Sequence, residues 1–309
     1  EEVKEESDSQ AVAPIDPAAA KGRSRRRWLV MGAVAASVLG LVAAALLWQW
    51  RTPGVPPPTL VQLTTEREAG AGSFSPDGTQ IAYASSGEKG ENLDVWLRIV
   101  GQAEARRLTT DPMADYNPSW SPDGQQIAFY HDEIGPSGTQ RRLYATSPLG
   151  GSPRKLSDFP ARSGRPSWSR DGRWLAVAKA RVGDDPPGGI YLVPVGGGEP
   201  RAVTSPTTGA FDAYPAFSPD GRILAYFGCE GAEGYPICEV YILNLDAAST
   251  PAGPARRLTQ QRLEGTGLTW TRDGRDVVYS AGGALWRLAL TGGAAPERLG
   301  LGGSGNAPP

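Results

Sequence analysis

Few residues in this chain combine a reactive side chain with a telling spacing. Cys229 and Cys238 lie in one short stretch, "CEGAEGYPIC", and His131 is the only histidine. Five aspartates, Asp77, Asp123, Asp171, Asp220 and Asp273, recur inside a Ser/Thr-x-Asp-Gly stretch, written "SPDG" three times, "SRDG" once and "TRDG" once. Two thiols can form a disulfide, act as a redox switch or stay inert. They make a poor metal site without a neighbouring His, and none is near in sequence. His131 could act as a base, but no "GxSxG" elbow or other nucleophile motif accompanies it. An aspartate that returns in the same turn is expected to serve that turn, because Asp bonds its own backbone and Gly accepts a positive φ. No phosphate-binding Gly loop, metal-ligand spacing or basic-aromatic patch occurs. The expectation is therefore a chain with no catalytic constellation, no cofactor and no bound nucleic acid.

The spacing of those turns describes the elements that carry them. The aspartates are 46, 48, 49 and 53 residues apart. A period in the forties with strand-like content is the mark of a β-propeller with one four-stranded blade per repeat. Each repeat reads alike. An aromatic strand ("SF", "SW", "AF", "TW") enters the turn, and a second, apolar strand leaves it ("IAYAS", "IAFYH", "LAVAK", "LAYFG", "VVYSA"). A third follows ("DVWLRIV", "RLYATSPL", "GIYLVPV", "EVYILNL", "ALWRLAL"), then an outer strand of the "ARRLT" type. Second strands apolar on both faces suit sheets sandwiched between neighbours. Gly (40) and Pro (28) make up about a fifth of the 309 residues, as a turn-rich all-β fold requires. Residues 60–65, "LVQLTT", match an outer strand with no blade before them and are expected to complete the last blade. Residues 300–309 resemble the approach to a further blade. The propeller of residues 60–299 is thus expected to hold five blades of a total of six or more.

Upstream, residues 28–50 read "WLVMGAVAASVLGLVAAALLWQW" without a charge. As a helix they would span about 34 Å, enough for a hydrocarbon core of about 30 Å. Lys21, Arg23, Arg25, Arg26 and Arg27 precede this segment and only Arg51 follows closely, which places the N-terminus in the cytoplasm and the propeller outside. Residues 1–27 read as a disordered cytoplasmic linker and residues 51–59 as a Pro-rich spacer. Gly32, Ala36, Gly40 and Ala44 fall on one face of the helix, so the span could pair two copies into a homodimer.

The topology gives the cysteines a role. Cys229 ends a second strand and Cys238 opens the third, so their Cα atoms should lie about 4.5–5.5 Å apart in an oxidising compartment. A structural disulfide is expected. Asp115, Tyr116, Asp212 and Tyr214, in the segments entering their blades, are the expected contacts for a protein or peptide ligand. The pairs Arg106–Arg107 and Arg256–Arg257 are expected to be solvated charges on outer edges.

The repeats "SFSPDGTQIAY", "SWSPDGQQIAF" and "AFSPDGRILAY", with their "RRLT" strands, resemble the TolB-type propeller repeats of bacteria. The order of basic linker, single span, Pro spacer and exported propeller also resembles CadC-like membrane-anchored transcriptional regulators, which carry a winged-helix domain before the span. These resemblances imply a periplasmic sensing or interaction propeller on a single-pass inner-membrane signalling protein. The alternatives are the propeller of a membrane-anchored serine/threonine kinase, of a prolyl-oligopeptidase-like peptidase, or a TolB-like envelope protein.

Overall fold

The repeated turn is built by its first residue as much as by its aspartate. In the first copy the Ser75 hydroxyl donates to Asp77 Oδ1 (2.6 Å), the Thr79 amide donates to the same oxygen (3.0 Å), and the Gln80 amide donates to Ser75 Oγ (2.9 Å). Gly78 closes the turn onto the Ser75 carbonyl (2.9 Å) with φ 74°. The same four bonds recur around Ser121–Asp123, Ser169–Asp171, Ser218–Asp220 and Thr271–Asp273. Hydrogen bonds from the turn hydroxyl hold Asp77, Asp123, Asp220 and Asp273 below the usual carboxylate range. The residue after each turn serine packs on the glycine of the next turn. Pro76 meets Gly124, Pro122 meets Gly172, Arg170 meets Gly221 and Pro219 meets Gly274. Arg170 therefore replaces proline without breaking the series.

The computed structural model describes residues 69–300 apart from 88–89, 91, 136–137, 163, 181–187, 232–235 and 291–294, together with residues 31, 37–38 and 40–42. Blade 1 comprises β1 (Ala69–Phe74), β2 (Gln80–Ser85), β3 (Asp94–Ile99) and β4 (Ala105–Arg107). Blade 2 comprises β5 (Asp115–Trp120), β6 (Ile127–Gly135), β7 (Gly138–Thr146) and β8 (Arg154–Ser157). Blade 3 comprises β9 (Ser167–Trp168), β10 (Trp174–Ala178), β11 (Ile190–Pro194) and β12 (Arg201–Ala202). Blade 4 comprises β13 (Ala210–Phe217), β14 (Ile223–Glu230), β15 (Ile237–Asn244) and β16 (Arg256–Arg257). Blade 5 comprises β17 (Gly265–Trp270), β18 (Asp276–Ala281), β19 (Ala284–Ala289) and β20 (Glu297–Arg298). Each blade is one antiparallel meander with its strands paired in chain order. The all-β propeller of four-stranded blades is thus the fold of the described residues.

The core lies between blades. Ala82, Val95 and Leu97 of blade 1 pack on Trp120, Ile127 and Phe129 of blade 2, and equivalent clusters join blades 2–3, 3–4 and 4–5. Second strands are buried on both faces, which is why their sequences do not alternate.

Of the two arginine pairs expected to be solvated edge charges, Arg106–Arg107 departs from expectation. Arg106 donates to the Leu149 carbonyl (2.9 Å), Arg154 to Val195 (3.3 Å) and Arg201 to Ser249 (2.9 Å). They occupy the same place in successive blades and tie each to a turn of the next. Arg107 binds Asp94 of its own blade. Arg256 and Arg257 remain exposed.

Residues 28–50 lie outside the described residues except for Met31, Ser37, Val38, Gly40, Leu41 and Val42, which are helical and exposed. Among the described residues no helix is long and apolar enough to cross a membrane. Gly32, Ala36 and Ala44 of the expected helix-pairing face, residues 1–27 and 51–59, the expected closing strand at 60–65, and residues 301–309 also lie outside them.

Candidate functional site: the central channel

The first strand of each blade turns a side chain toward a shared cavity. In β5 the register shifts between Tyr116 and Ser119, and in β13 between Ala213 and Ala216; β1 and β17 carry the same bulge. A bulge re-aims the residues beside it. Asn117 and Tyr214 adopt φ of 55° and 53°, a left-handed backbone that Asn tolerates and that is unusual for Tyr. With Arg165 of blade 3 they occupy one repeat position, each just before a proline: Pro118, Pro166 and Pro215. All three line an open cavity of about 610 Å³ bordered by the first strands of all five blades and by Val278, Tyr279, Ser280 and Leu285 of blade 5.

The channel wall is stitched from blade to blade. Asn117 Nδ2 donates to the Gly164 carbonyl (2.7 Å), Trp168 Nε1 to Ser119 (2.9 Å) and Trp270 Nε1 to Ala216 (2.9 Å). Ser167 Oγ accepts from the Phe217 amide (3.0 Å). Arg165 reaches the blade 1 carbonyl of Gly72 (2.8 Å). Among the described residues it is the only charged one lining the channel. Removal from bulk water holds its guanidinium below the usual arginine range, although part of the side chain faces the channel.

Of the expected contact residues, only Tyr214 lies in this channel. Asp115 is no loop residue. It is buried in β5, its amide bonds to the Leu93 carbonyl of blade 1 (2.7 Å), and its Oδ1 meets His131 Nδ1 at 2.7 Å. Burial pushes Asp115 up to about 6. His131 Nε2 faces Asp111 at 3.9 Å, and no nucleophilic hydroxyl or thiol bonds it among the described residues. Tyr116 is half-buried beneath the Arg141 guanidinium, 4.3 Å from its ring, and accepts a bond from it at 3.1 Å. Cys229 and Cys238 pair directly across β14 and β15, Cα atoms 4.0 Å apart, and are joined as a disulfide.

Asp212 lies elsewhere, in a second cleft of about 750 Å³ between the outer part of blade 3 and blade 4. Tyr226 and Tyr241, stacked 5.7 Å apart, share it with Thr204, Glu239 and Arg257. Burial raises the Asp212 carboxyl to about 6, against a hydrogen bond from Thr204. A carboxyl raised above its unfolded value of about 3.9 favours folding fully only below that value, and the contribution is lost as pH rises through about 6. Asp212→Asn is therefore expected to stabilise the protein at pH 8 by about 1–2 kcal/mol, below the full desolvation figure because water enters the cleft. The gain should vanish near pH 4. Thermal melts of both proteins across pH 4–8 check this; a loss of stability at pH 8 would show that the charged form is needed.

Sequence reasoning passed over Asn117 and Arg165. The signal was there: "NPSW", "RPSW" and "YPAF" place Asn, Arg and Tyr at one repeat position.

A family model described as the TolB beta propeller domain (PD40) matches residues 62–232. The chain belongs to this family. An Uncharacterized peptidase YuxL of Bacillus subtilis (strain 168) is 28% identical over 212 residues, 67% of this chain and 28% of that protein. The Tol-Pal system protein TolB of Anaeromyxobacter dehalogenans (strain 2CP-1 / ATCC BAA-258) is 41% identical over 58 residues, 19% of this chain and 13% of that protein. The chain thus spans under a third of the length of these curated relatives. Among solved structures, TolB from Acinetobacter baumannii superposes with a TM-score of 0.57 at 21% identity, covering 72% of this chain and 52% of that one. An oligogalacturonate lyase from Vibrio parahaemolyticus gives 0.55 at 15% identity, covering 77% and 67%. At these identities the shared property is the propeller fold.

Proposed function

We propose that this TolB-type propeller is the periplasmic interaction module of a single-pass inner-membrane signalling protein, a CadC-like transcriptional regulator in its arrangement. Residues 28–50 form its span, with the N-terminus cytoplasmic, and the face through Gly32, Ala36, Gly40 and Ala44 pairs two copies. The observation that carries the reading is the channel. Five bulged or bent inner strands present hydroxyls, aromatic rings and one guanidinium to a common cavity, a surface suited to holding a peptide rather than to breaking a bond. The Cys229–Cys238 bond supports export, since such bonds persist in oxidising compartments. A second reading, a propeller that gates a hydrolase domain, is favoured by the long match to the protein named peptidase YuxL.

Photo-crosslinking in intact cells tests the first reading. A photoreactive amino acid replacing Tyr214 should give discrete adducts with envelope proteins, and one replacing exposed Asp246 should not. Adducts with cytoplasmic proteins, or equal labelling from both sites, would overturn it. Hydrolysis of short peptides by the full-length gene product would favour the second.

A further inference from the structure

We propose that Arg165 makes the channel a receptor for a peptide carboxylate, either a free C-terminus or an Asp or Glu side chain. The inference rests on the channel being the binding surface and adds the chemistry of what enters it.

Three half-buried cations of the propeller have acidic partners. Lys155 binds Glu133 and Asp158, Arg141 faces Asp132 at 3.7 Å, and Arg142 faces Glu133 at 3.9 Å. Arg165 bonds one backbone carbonyl through one nitrogen, across the cavity from blade 3 to blade 1. Among the described residues no aspartate or glutamate lines the channel with it. Among the described residues the lost hydration is opposed by that neutral oxygen alone. A desolvated cation without a counter-charge is unfavourable, and an incoming carboxylate relieves it. The guanidinium fork offers paired N–H donors matched to two carboxylate oxygens.

The surroundings fix the scale of the ligand. Asn117 has its amide engaged with Gly164, leaving Arg165 as the strongest donor in the wall. Tyr214, Trp270 and Leu268 add ring and aliphatic surface against which a peptide backbone can lie. About 610 Å³ is the size of a small-ligand site. It admits a chain end or the tip of a loop, not a folded domain.

The test uses the full chain in detergent micelles and four dye-labelled Gly/Ser heptapeptides read by fluorescence anisotropy. One has two Glu residues and an amidated C-terminus, one is neutral with a free C-terminus, one is neutral and amidated, and one has two Lys residues and an amidated C-terminus. At least one carboxylate-bearing peptide should bind ten-fold or more tightly than the neutral amidated one, and which of the two does so identifies the source of the carboxylate. Arg165→Gln should cut that preference below three-fold, and Arg165→Lys should keep part of it. Should Arg165→Gln fail to fold, Thr269→Asp decides. Thr269 is exposed in the channel wall, so a resident carboxylate there should compete and weaken the acidic peptide at least ten-fold. Equal binding of acidic and neutral peptides overturns the carboxylate inference while the channel reading stands. So does a preference that survives Arg165→Gln. If no peptide binds and Tyr214 also fails to crosslink, the channel reading falls with it.

Discussion

Gly265→Ala is expected to lower stability by about 3 kcal/mol, the upper range for overpacking a tight core. A Cβ at this position would sit 2.5 Å from Phe227 Cζ and 2.7 Å from both neighbouring ring carbons. The backbone angle is not the obstacle, since Gly265 is not among the positive-φ residues. Phe227 is fully buried, with Tyr214 and Tyr279 set edge-on against it at 5.9 and 6.3 Å. It has nowhere to retreat. For a domain of this size the melting temperature should fall by roughly 6–12 °C. Gly267→Ala, two residues on with open space around it, is the control and should stay within about 0.5 kcal/mol. Shrinking the ring in a Gly265→Ala/Phe227→Leu double variant should cost less than the sum of the singles. Equal melting of Gly265→Ala and wild type would show that blades 4 and 5 are not packed as described.

That glycine also shows why parts of the molecule were legible in the sequence and parts were not. The blades announce themselves because the same turn must be built each time. Ser, Asp and Gly each satisfy a local bond, so each is specified within six residues. All five second strands could be read from their unbroken apolar runs. Gly265 occupies the repeat position held by Asp115 and Asp212, and its missing side chain makes sense only beside Phe227 of the previous blade. Relations between blades leave no local trace. Arg106 looked like a solvated edge charge because the carbonyl it binds lies in the following repeat, as do those bound by Arg154 and Arg201. Asp115 and Asp212 looked like loop contacts because a polar residue before an aromatic strand is normally exposed. They are buried because the first strand runs further back than the apolar pattern suggests, and its amides at Asp115 and Asp212 bond the preceding blade at Leu93 and Gly188. Arg165 was hidden differently. An Arg-Pro step carries no motif, and its interest arises only from the cavity that the five first strands border.

Reducing the Cys229–Cys238 bond should cost about 2–3 kcal/mol, the chain-entropy value for a loop of this length. Both half-cystines are buried in the cluster shared by blades 4 and 5, at 2% and 1% exposure. Cys238 also exchanges two backbone bonds of 2.8 Å with Leu263, so the bridge holds the tip of blade 4 and the strand leading into blade 5 at one point. Oxidised wild type should melt roughly 4–12 °C above the same protein in dithiothreitol. Cys229→Ser/Cys238→Ser should melt at or below the reduced form, because each hydroxyl is then buried where a sulfur had been. The comparison of oxidised with reduced wild type isolates the cross-link, since the side chains are otherwise identical. Compartment adds a second reading of the same bond. Unfolded in denaturant without reductant, protein exported to the periplasm should show no thiol that labels, and protein retained in the cytoplasm should show two. Coincident melts with and without reductant would mean that the bridge contributes nothing to folding. Two free thiols in the exported protein would remove the bond itself, and with it the support it lends to a propeller that works outside the inner membrane.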